Sequence, residues 1–178
     1  VIKNQMEERL EQIFHPQSYG YRPKRSAHQA LEQVRKNCWK YDWVIDLDIK
    51  NFFDDIDHDK FLKALGKHVE EKWMLGYIER WFKAPLQTRK GEIIARTNGT
   101  PQGGVISPLL ANLFLHYTLD VWLGRLNPTI EIVRYADDII IHCQTQSQAE
   151  QSLQQIKERV ENCGLTLHPD KTKIVYCK

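Results

Sequence analysis

Apolar residues recur at helical spacing over residues 2–14, where Ile2, Met6, Leu10, Ile13 and Phe14 share one stripe and His15-Pro16 ends the helix. Ser26 and Gln29 have capping-box spacing, and Ala27, Ala30, Leu31 and Val34 carry on as a second short helix. From Trp43 the period drops to two. Trp43, Ile45, Leu47 and Ile49 then fall on one face of a strand, and Val44, Asp46 and Asp48 on the other, so the strand presents two carboxylates side by side. Phe61, Leu62 and Leu65, then Trp73, Met74, Tyr77, Ile78, Trp81 and Phe82, predict two helices crossing behind it, with the aromatic stripe read as core.

Residues 91–95 predict a short strand, and 98–104 a loop rich in turn formers. Ser107 is expected to cap a long apolar helix running to about Leu123, with Pro108 at its first position. Two β-rich runs, 130–135 and 139–143, read as a hairpin with Ala136, Asp137 and Asp138 at its tip. Ser147 and Glu150 suggest the capping box of a helix carrying Ala149, Leu153, Ile156, Val160 and Cys163, which Gly164 closes. A last strand pair, 165–167 and 174–176, flanks residues 168–173. The sum is an α+β fold, an antiparallel sheet packed on one helical layer.

With 178 residues, 42% apolar and 27% charged, the chain is one globular domain rather than a disordered tail. No run approaches the roughly 18 consecutive apolar residues of a bilayer span, and no charged-then-apolar leader precedes the first helix. No membrane partner is expected. Cys38, Cys143, Cys163 and Cys177 lack the spacing of a zinc module or a disulfide framework, which fits a reducing, cytoplasmic compartment. A net charge of +2 leaves a nucleic-acid partner open, because phosphate binding needs local Lys/Arg clusters rather than a large total. The chain starts at Val1 and still reads as apolar strand near its end, the look of a segment cut from a longer protein.

Asp48 ends an apolar strand, and Asp137 and Asp138 sit at the tip of an apolar hairpin. Ionised carboxylates are costly there unless paired or bound to a cation. If the strands are neighbours, oxygen-only ligands converge in a way that suits Mg²⁺, which keeps waters and completes its shell with substrate phosphates. Two such ions about 3.5 to 4 Å apart clamp the attacking and leaving oxygens of a phosphoryl transfer. Taken singly, each site has a plain alternative: Asp-Asp is a common turn choice, and an Asp at a strand end is usually a cap.

The conjunction of motifs decides between them. Residues Tyr19-Gly20-Tyr21-Arg22-Pro23-Lys24-Arg25-Ser26-Ala27, the run from Asp48 to His58, the loop from Thr100 to Pro108, Tyr135-Ala136-Asp137-Asp138, and the run from Gly164 to Lys173 follow one another in order. In that order they resemble the fingers and palm of a reverse transcriptase of the bacterial group II intron type. The resemblance covers nearly the whole chain. It implies a polymerase palm at 42–178, with fingers-derived helices 59–84 inserted, and a partial fingers segment at 1–41, one domain truncated at both ends. It also implies RNA-directed DNA polymerisation with two Mg²⁺ ions, which Mn²⁺ can replace, on an RNA template, a DNA primer and a dNTP, with intron RNA as a further partner. Oligomeric state stays open.

By the same resemblance Asp48, Asp137 and Asp138 are the catalytic, metal-binding carboxylates, and the carbonyl of Ile49 is a further metal ligand. Phe53 matches the bulky gate that excludes a ribose 2′-hydroxyl, whereas Phe52 fits ordinary core. Gln102 and Gly103 match the loop approaching the incoming nucleotide, and Lys171, with Lys173 beside it, a lysine that meets the leaving pyrophosphate. Arg22, Lys24 and Arg25 form the densest basic cluster, read either as a template-backbone contact or as a solvated loop. Asp54, Asp55, Asp57 and His58 read as loop and cap residues, and Asp46 as a supporting carboxylate. Asp55 replaces an Asn often seen in the family. The runner-up function is an RNA-binding maturase scaffold, which gains nothing from carboxylates facing polyanionic RNA. A cyclase-like nucleotidyl transferase leaves the Thr100 to Pro108 loop unexplained.

Overall fold

A computed structural model describes the chain apart from Val1, Thr88, Arg89, Pro101 and Gln102. Helix α1 (Ile2–Glu11) buries Met6 and Leu10, and stops before the expected Ile13 and Phe14, which lie in the following turn. Helix α2 (Ala27–Cys38) opens with both halves of its capping box: Ser26 Oγ accepts from the Gln29 N–H, and Gln29 Oε1 accepts from the Ser26 N–H. There follow β1 (Trp43–Leu47), β2 (Ile49–Lys50), α3 (Phe52–Asp55), α4 (His58–Leu65), α5 (Lys72–Lys83), β3 (Leu86–Gln87) and β4 (Ile93–Ile94). Then come α6 (Ser107–Leu115), α7 (Val121–Leu126), β5 (Glu131–Tyr135), β6 (Asp138–Cys143), α8 (Gln146–Asn162), β7 (Thr166–Leu167) and β8 (Lys173–Tyr176). Among the described residues no helix is long and apolar enough to cross a membrane.

The main sheet has the order β5-β6-β1-β8, with antiparallel neighbours throughout, and sets Ile45 opposite both Ile141 and Ile174. Ile45, Leu47, Ile132, Ile139 and Ile141 of one face join a core with Leu109, Leu113, Ile156 and Val160 from α6 and α8. The other face carries Val133, which packs with Tyr19, Ala30 and Val34, so α2 covers part of it. Helices therefore lie on both faces, where the sequence suggested a single layer.

Further differences each have a local cause. The strand from Trp43 breaks at Asp48: Ile49 turns away to pair with Leu167, so the two last strands, expected as partners, join different sheets. On α5 the buried stripe is Met74, Ile78 and Phe82, while Trp73, Tyr77 and Trp81 stay 52%, 49% and 41% exposed. The two stripes lie one residue apart, and amphipathic rings tolerate the wet boundary that Met and Ile do not. The helix expected through Leu123 begins with Ile106 at its cap position and loosens into a π-helical turn at His116–Asp120. Thr145, accepting from the Gln148 N–H, caps α8 in place of the Ser147 and Glu150 pair.

Candidate active site

In the β5–β6 hairpin Tyr135 pairs with Asp138, leaving Ala136 and Asp137 as the turn, with Ala136 at a left-handed φ of 57°. Its footing is Arg134, which is 1% exposed. Arg134 Nη1 donates to the Ala136 carbonyl (3.0 Å) and to Asn112 Oδ1 (2.7 Å), while Nε and Nη2 fork the Asp120 carboxylate at 3.1 and 2.8 Å. Burial pushes the Asp120 carboxyl up, yet the Arg134 charge and hydrogen bonds, with the His116 imidazole 3.8 Å away, outweigh it and hold its pKa at about 2. Asn112 Nδ2 in turn donates to the Gly20 carbonyl (2.7 Å). A Cβ on Gly20 would lie 2.2 Å from the Ala136 nitrogen, so only glycine lets this segment meet the turn. The Tyr19 N–H donates to the Arg134 carbonyl, and the Arg134 N–H to the Gln17 carbonyl, stitching residues 17–20 onto β5.

In front of the turn, Asp48 and Asp137 line one cavity of about 430 Å³ together with Ile49, Phe53, His168 and Lys171. The break in the strand puts Asp48 at the junction of two sheets, its carbonyl accepting from the His168 N–H (2.8 Å). Lys171 Nζ stands 3.2 Å from Asp48 Oδ2, and Lys173 Nζ 3.8 Å from Asp46. Partial burial raises the pKa of Asp138, and the negative charges of Asp137, Asp48 and Asp46 raise it further, against a weaker pull from Lys171. Asp138 thus sits in a field of like charge, although it opens onto the α2 side with Leu31, Val34 and Tyr135 rather than onto the cavity that Asp48 and Asp137 share. Among the described residues no three His, Cys, Asp or Glu side chains form a ready metal cage. An open carboxylate pair of this sort fits a hard cation that takes its remaining ligands from water and phosphate.

Buried Phe52 and half-buried Phe53 both line the acidic cavity, and Phe53 also lines a second one, about 420 Å³, with Tyr21, Gly103 and Gly104. The Thr100 N–H donates to the Phe53 carbonyl (2.7 Å) and the Gly99 N–H to that of Ile56 (2.8 Å), which ties the loop to the segment after Asp48. Gly103 adopts φ +81°; Gln102 lies outside the described residues. Asp57 caps α4 by accepting from the Lys60 N–H, and His58 Nε2 bonds the Gly99 carbonyl. Of the basic cluster, Lys24 and Arg25 are exposed, with Arg25 over the Tyr19 ring. Arg22 is buried instead, forked onto Glu11 and donating to the carbonyls of His15 and Ser18. The sequence pattern marks none of Arg134, Asp120 and Asn112, and marks Gly20 only as one member of the run Tyr19 to Ala27. The available signal was a pair of opposite charges, each embedded in an apolar run.

The family described as "Reverse transcriptase (RNA-dependent DNA polymerase)" matches residues 1–178. The chain belongs to the reverse transcriptase family. Among its relatives, the group II intron-encoded protein LtrA of Lactococcus lactis subsp. cremoris is 35% identical over 111 residues, 62% of this chain and 18% of that protein. Protein YkfC of Escherichia coli (strain K12) is 30% identical, covering 95% of this chain and 54% of its own length. An uncharacterized 91 kDa protein in a cob intron of Schizosaccharomyces pombe is 35% identical over 71% of this chain and 15% of that protein. The chain therefore spans about half or less of the length of these relatives. Telomerase from Candida tropicalis, in complex with a fragment of telomeric RNA, superposes over 98% of this chain and 33% of its own with a TM-score of 0.74 at 12% identity. That likeness is one of fold, and the expected α+β polymerase palm is the architecture found.

Proposed function

We propose that this chain is the palm, with part of the fingers, of a group II intron-type reverse transcriptase whose parent protein copies an RNA template into DNA. The observation that carries the reading is the placement of Asp48 and Asp137 on one cavity, from two different sheet elements, with Phe53 on its wall. Residues 1–41 belong on this reading to the fingers and 42–178 to the palm.

Asp48, Asp137, Asp138 and the carbonyl of Ile49 would hold two Mg²⁺ ions, or Mn²⁺ in their place. Such ions supply Lewis acidity to the primer 3′-hydroxyl and neutralise charge developing on the α-phosphate. The primer 3′-oxygen would give up its proton to solvent and form its bond to the α-phosphorus as the bond to the bridging oxygen breaks and pyrophosphate leaves. Lys171 already stands in the cavity, where its ammonium would meet the leaving group's charge. Phe53 would bar a 2′-hydroxyl by overlap, and by the family resemblance Gln102 and Gly103 would serve the incoming nucleotide. Lys24 and Arg25 remain at the surface for a template phosphate; Arg22 serves the fold.

Primer extension by the full-length parent protein on an RNA template with Mg²⁺ tests the reading, with the Asp137→Asn variant alongside. Extension by the parent that is lost in the variant is the expected result. Specific binding of intron RNA with no extension by either would favour the maturase scaffold.

A further inference from the structure

The geometry points to Arg134, Asp120 and Asn112 as positioning residues that fix the Ala136-Asp137 turn from behind, with Gly20 as the abutment that closes the network. This rests on the polymerase reading for its kinetic consequences, though not for its structural ones.

The turn needs an external hold, because its left-handed residue is Ala136 rather than glycine, and a lone alanine favours the right-handed region. Arg134 supplies that hold through its Nη1 bond to the Ala136 carbonyl. A free arginine would swing through several rotamers; here the other donors are fixed by Asp120 and Asn112, so the guanidinium is a rigid bracket. Asp120 reaches it from the π-helical turn, whose wider register interrupts the helix where the partner is needed. Asn112 carries the bracket on to Gly20, whose backbone lies against Tyr135 and Ala136. Displacement of the turn is thereby blocked on the side of residues 17–20 and restrained on the side of the helices. An outer layer of this kind sets where a carboxylate stands when it meets a cation.

A merely stabilising ion pair and a positioning one are separated by removing both charges together. Replacing a buried pair by apolar residues of similar volume is often neutral for stability. Arg134→Met combined with Asp120→Leu therefore deletes the contact to Ala136 while leaving a foldable core. In the full-length protein this double variant should keep a Tm near that of the parent. It should bind Mn²⁺, read by electron paramagnetic resonance in the presence of a dNTP, about 10- to 100-fold more weakly, and kcat should fall by a similar factor with the dNTP KM little changed. Asn112→Ala, which keeps the ion pair, should show the same pattern more weakly, and serves if the double variant does not fold. Unchanged Mn²⁺ affinity in a folded double variant, or in Asn112→Ala, would overturn the inference. If the parent protein extends no primer at all, the polymerase reading fails, and the Mn²⁺ measurement still decides the positioning role.

Discussion

Asp120 and Asp48 flank the same hairpin and differ in what meets them. Asp120, behind the turn, is 3% exposed and forked by a guanidinium that is itself buried. Asp48, in front, is half-buried and faces one exposed lysine at 3.2 Å. Removing one partner of the rear pair strands a charge in the interior, whereas a half-exposed lysine contact is worth at most about 1 kcal/mol and exchanges readily. The rear carboxylate is part of the frame. The front carboxylates are kept short of counter-charge, and that shortage is what makes them available to a cation.

The contrast predicts that substitutions on the two sides fail in different assays. Asp137→Asn in the full-length protein should lower kcat for primer extension by on the order of 10⁴-fold, close to 5.5 kcal/mol, with Tm unchanged or slightly raised because like-charge repulsion is relieved. Rapid-quench kinetics and calorimetry on the same preparation check it. A variant that loses stability instead of rate would put Asp137 in the frame with Asp120.

Asp120→Leu alone should do the reverse, costing about 3–5 kcal/mol of stability because Arg134 is left buried and unpaired. Urea unfolding of the single variant against Arg134→Met with Asp120→Leu measures the difference. Equal losses in both would mean that the ion pair is not the source of the penalty.

At the front, Asp48 and Asp137 are legible because they are acids where apolar periodicity runs out, and they meet on one cavity; Asp138, read with them at the hairpin tip, instead pairs with Tyr135 in β6 and opens onto the α2 side. Phe52 is buried and Phe53 half-buried, and both line the acidic cavity; only Phe53 also reaches the second one. The rear was not legible. Arg134 sits between Val133 and Tyr135 on an apolar strand, and its partner is fourteen residues back in a helix. Only the three-dimensional register, set by a π-turn that no periodicity announces, brings them together. Arg22 misleads for a related reason: a basic residue in a loop reads as solvated until the fold places Glu11 and two carbonyls around it. On α5 two candidate faces lie one residue apart, and hydrophobicity alone does not separate the buried Met74, Ile78 and Phe82 from the exposed Trp73, Tyr77 and Trp81.

Phe53 sharpens the comparison at the wall between the two cavities. Phe53→Ala should retain dNTP incorporation and raise the efficiency of rNTP use, reducing the dNTP-to-rNTP ratio of kcat/KM by about 10²-fold, near 2.7 kcal/mol. On the proposed role the rigid ring acts only through overlap with a 2′-hydroxyl, so metal binding and phosphoryl chemistry would be left in place. Steady-state kinetics with matched nucleotides test it, and an unchanged ratio would assign Phe53 to the core with Phe52.

The smallest effect is also the one in which front and rear differ in sign. The folded protein holds Asp120 at a pKa of about 2, below the ordinary 3.8, so its contribution to stability is complete above pH 4 and disappears as pH falls from about 4 to about 2. At 1.36 kcal/mol per unit, that difference of nearly two units amounts to about 2 kcal/mol. Asp138 is raised, first by burial and then by its neighbouring carboxylates, so its ionisation opposes folding: that penalty sets in as pH rises through its pKa and is absent in acid. Unfolding free energies measured between pH 5 and pH 2 should therefore fall less steeply for Asp120→Asn than for the parent. Asp138→Asn should leave that acid decline in place and add a small increment of stability at neutral pH, provided no divalent cation is present. Addition of Mg²⁺ and dNTP should erase the increment, because the bound cation cancels the repulsion that the substitution removed. An Asp138→Asn variant less stable than the parent under cation-free neutral conditions would show that the turn's second carboxylate belongs with the rear frame.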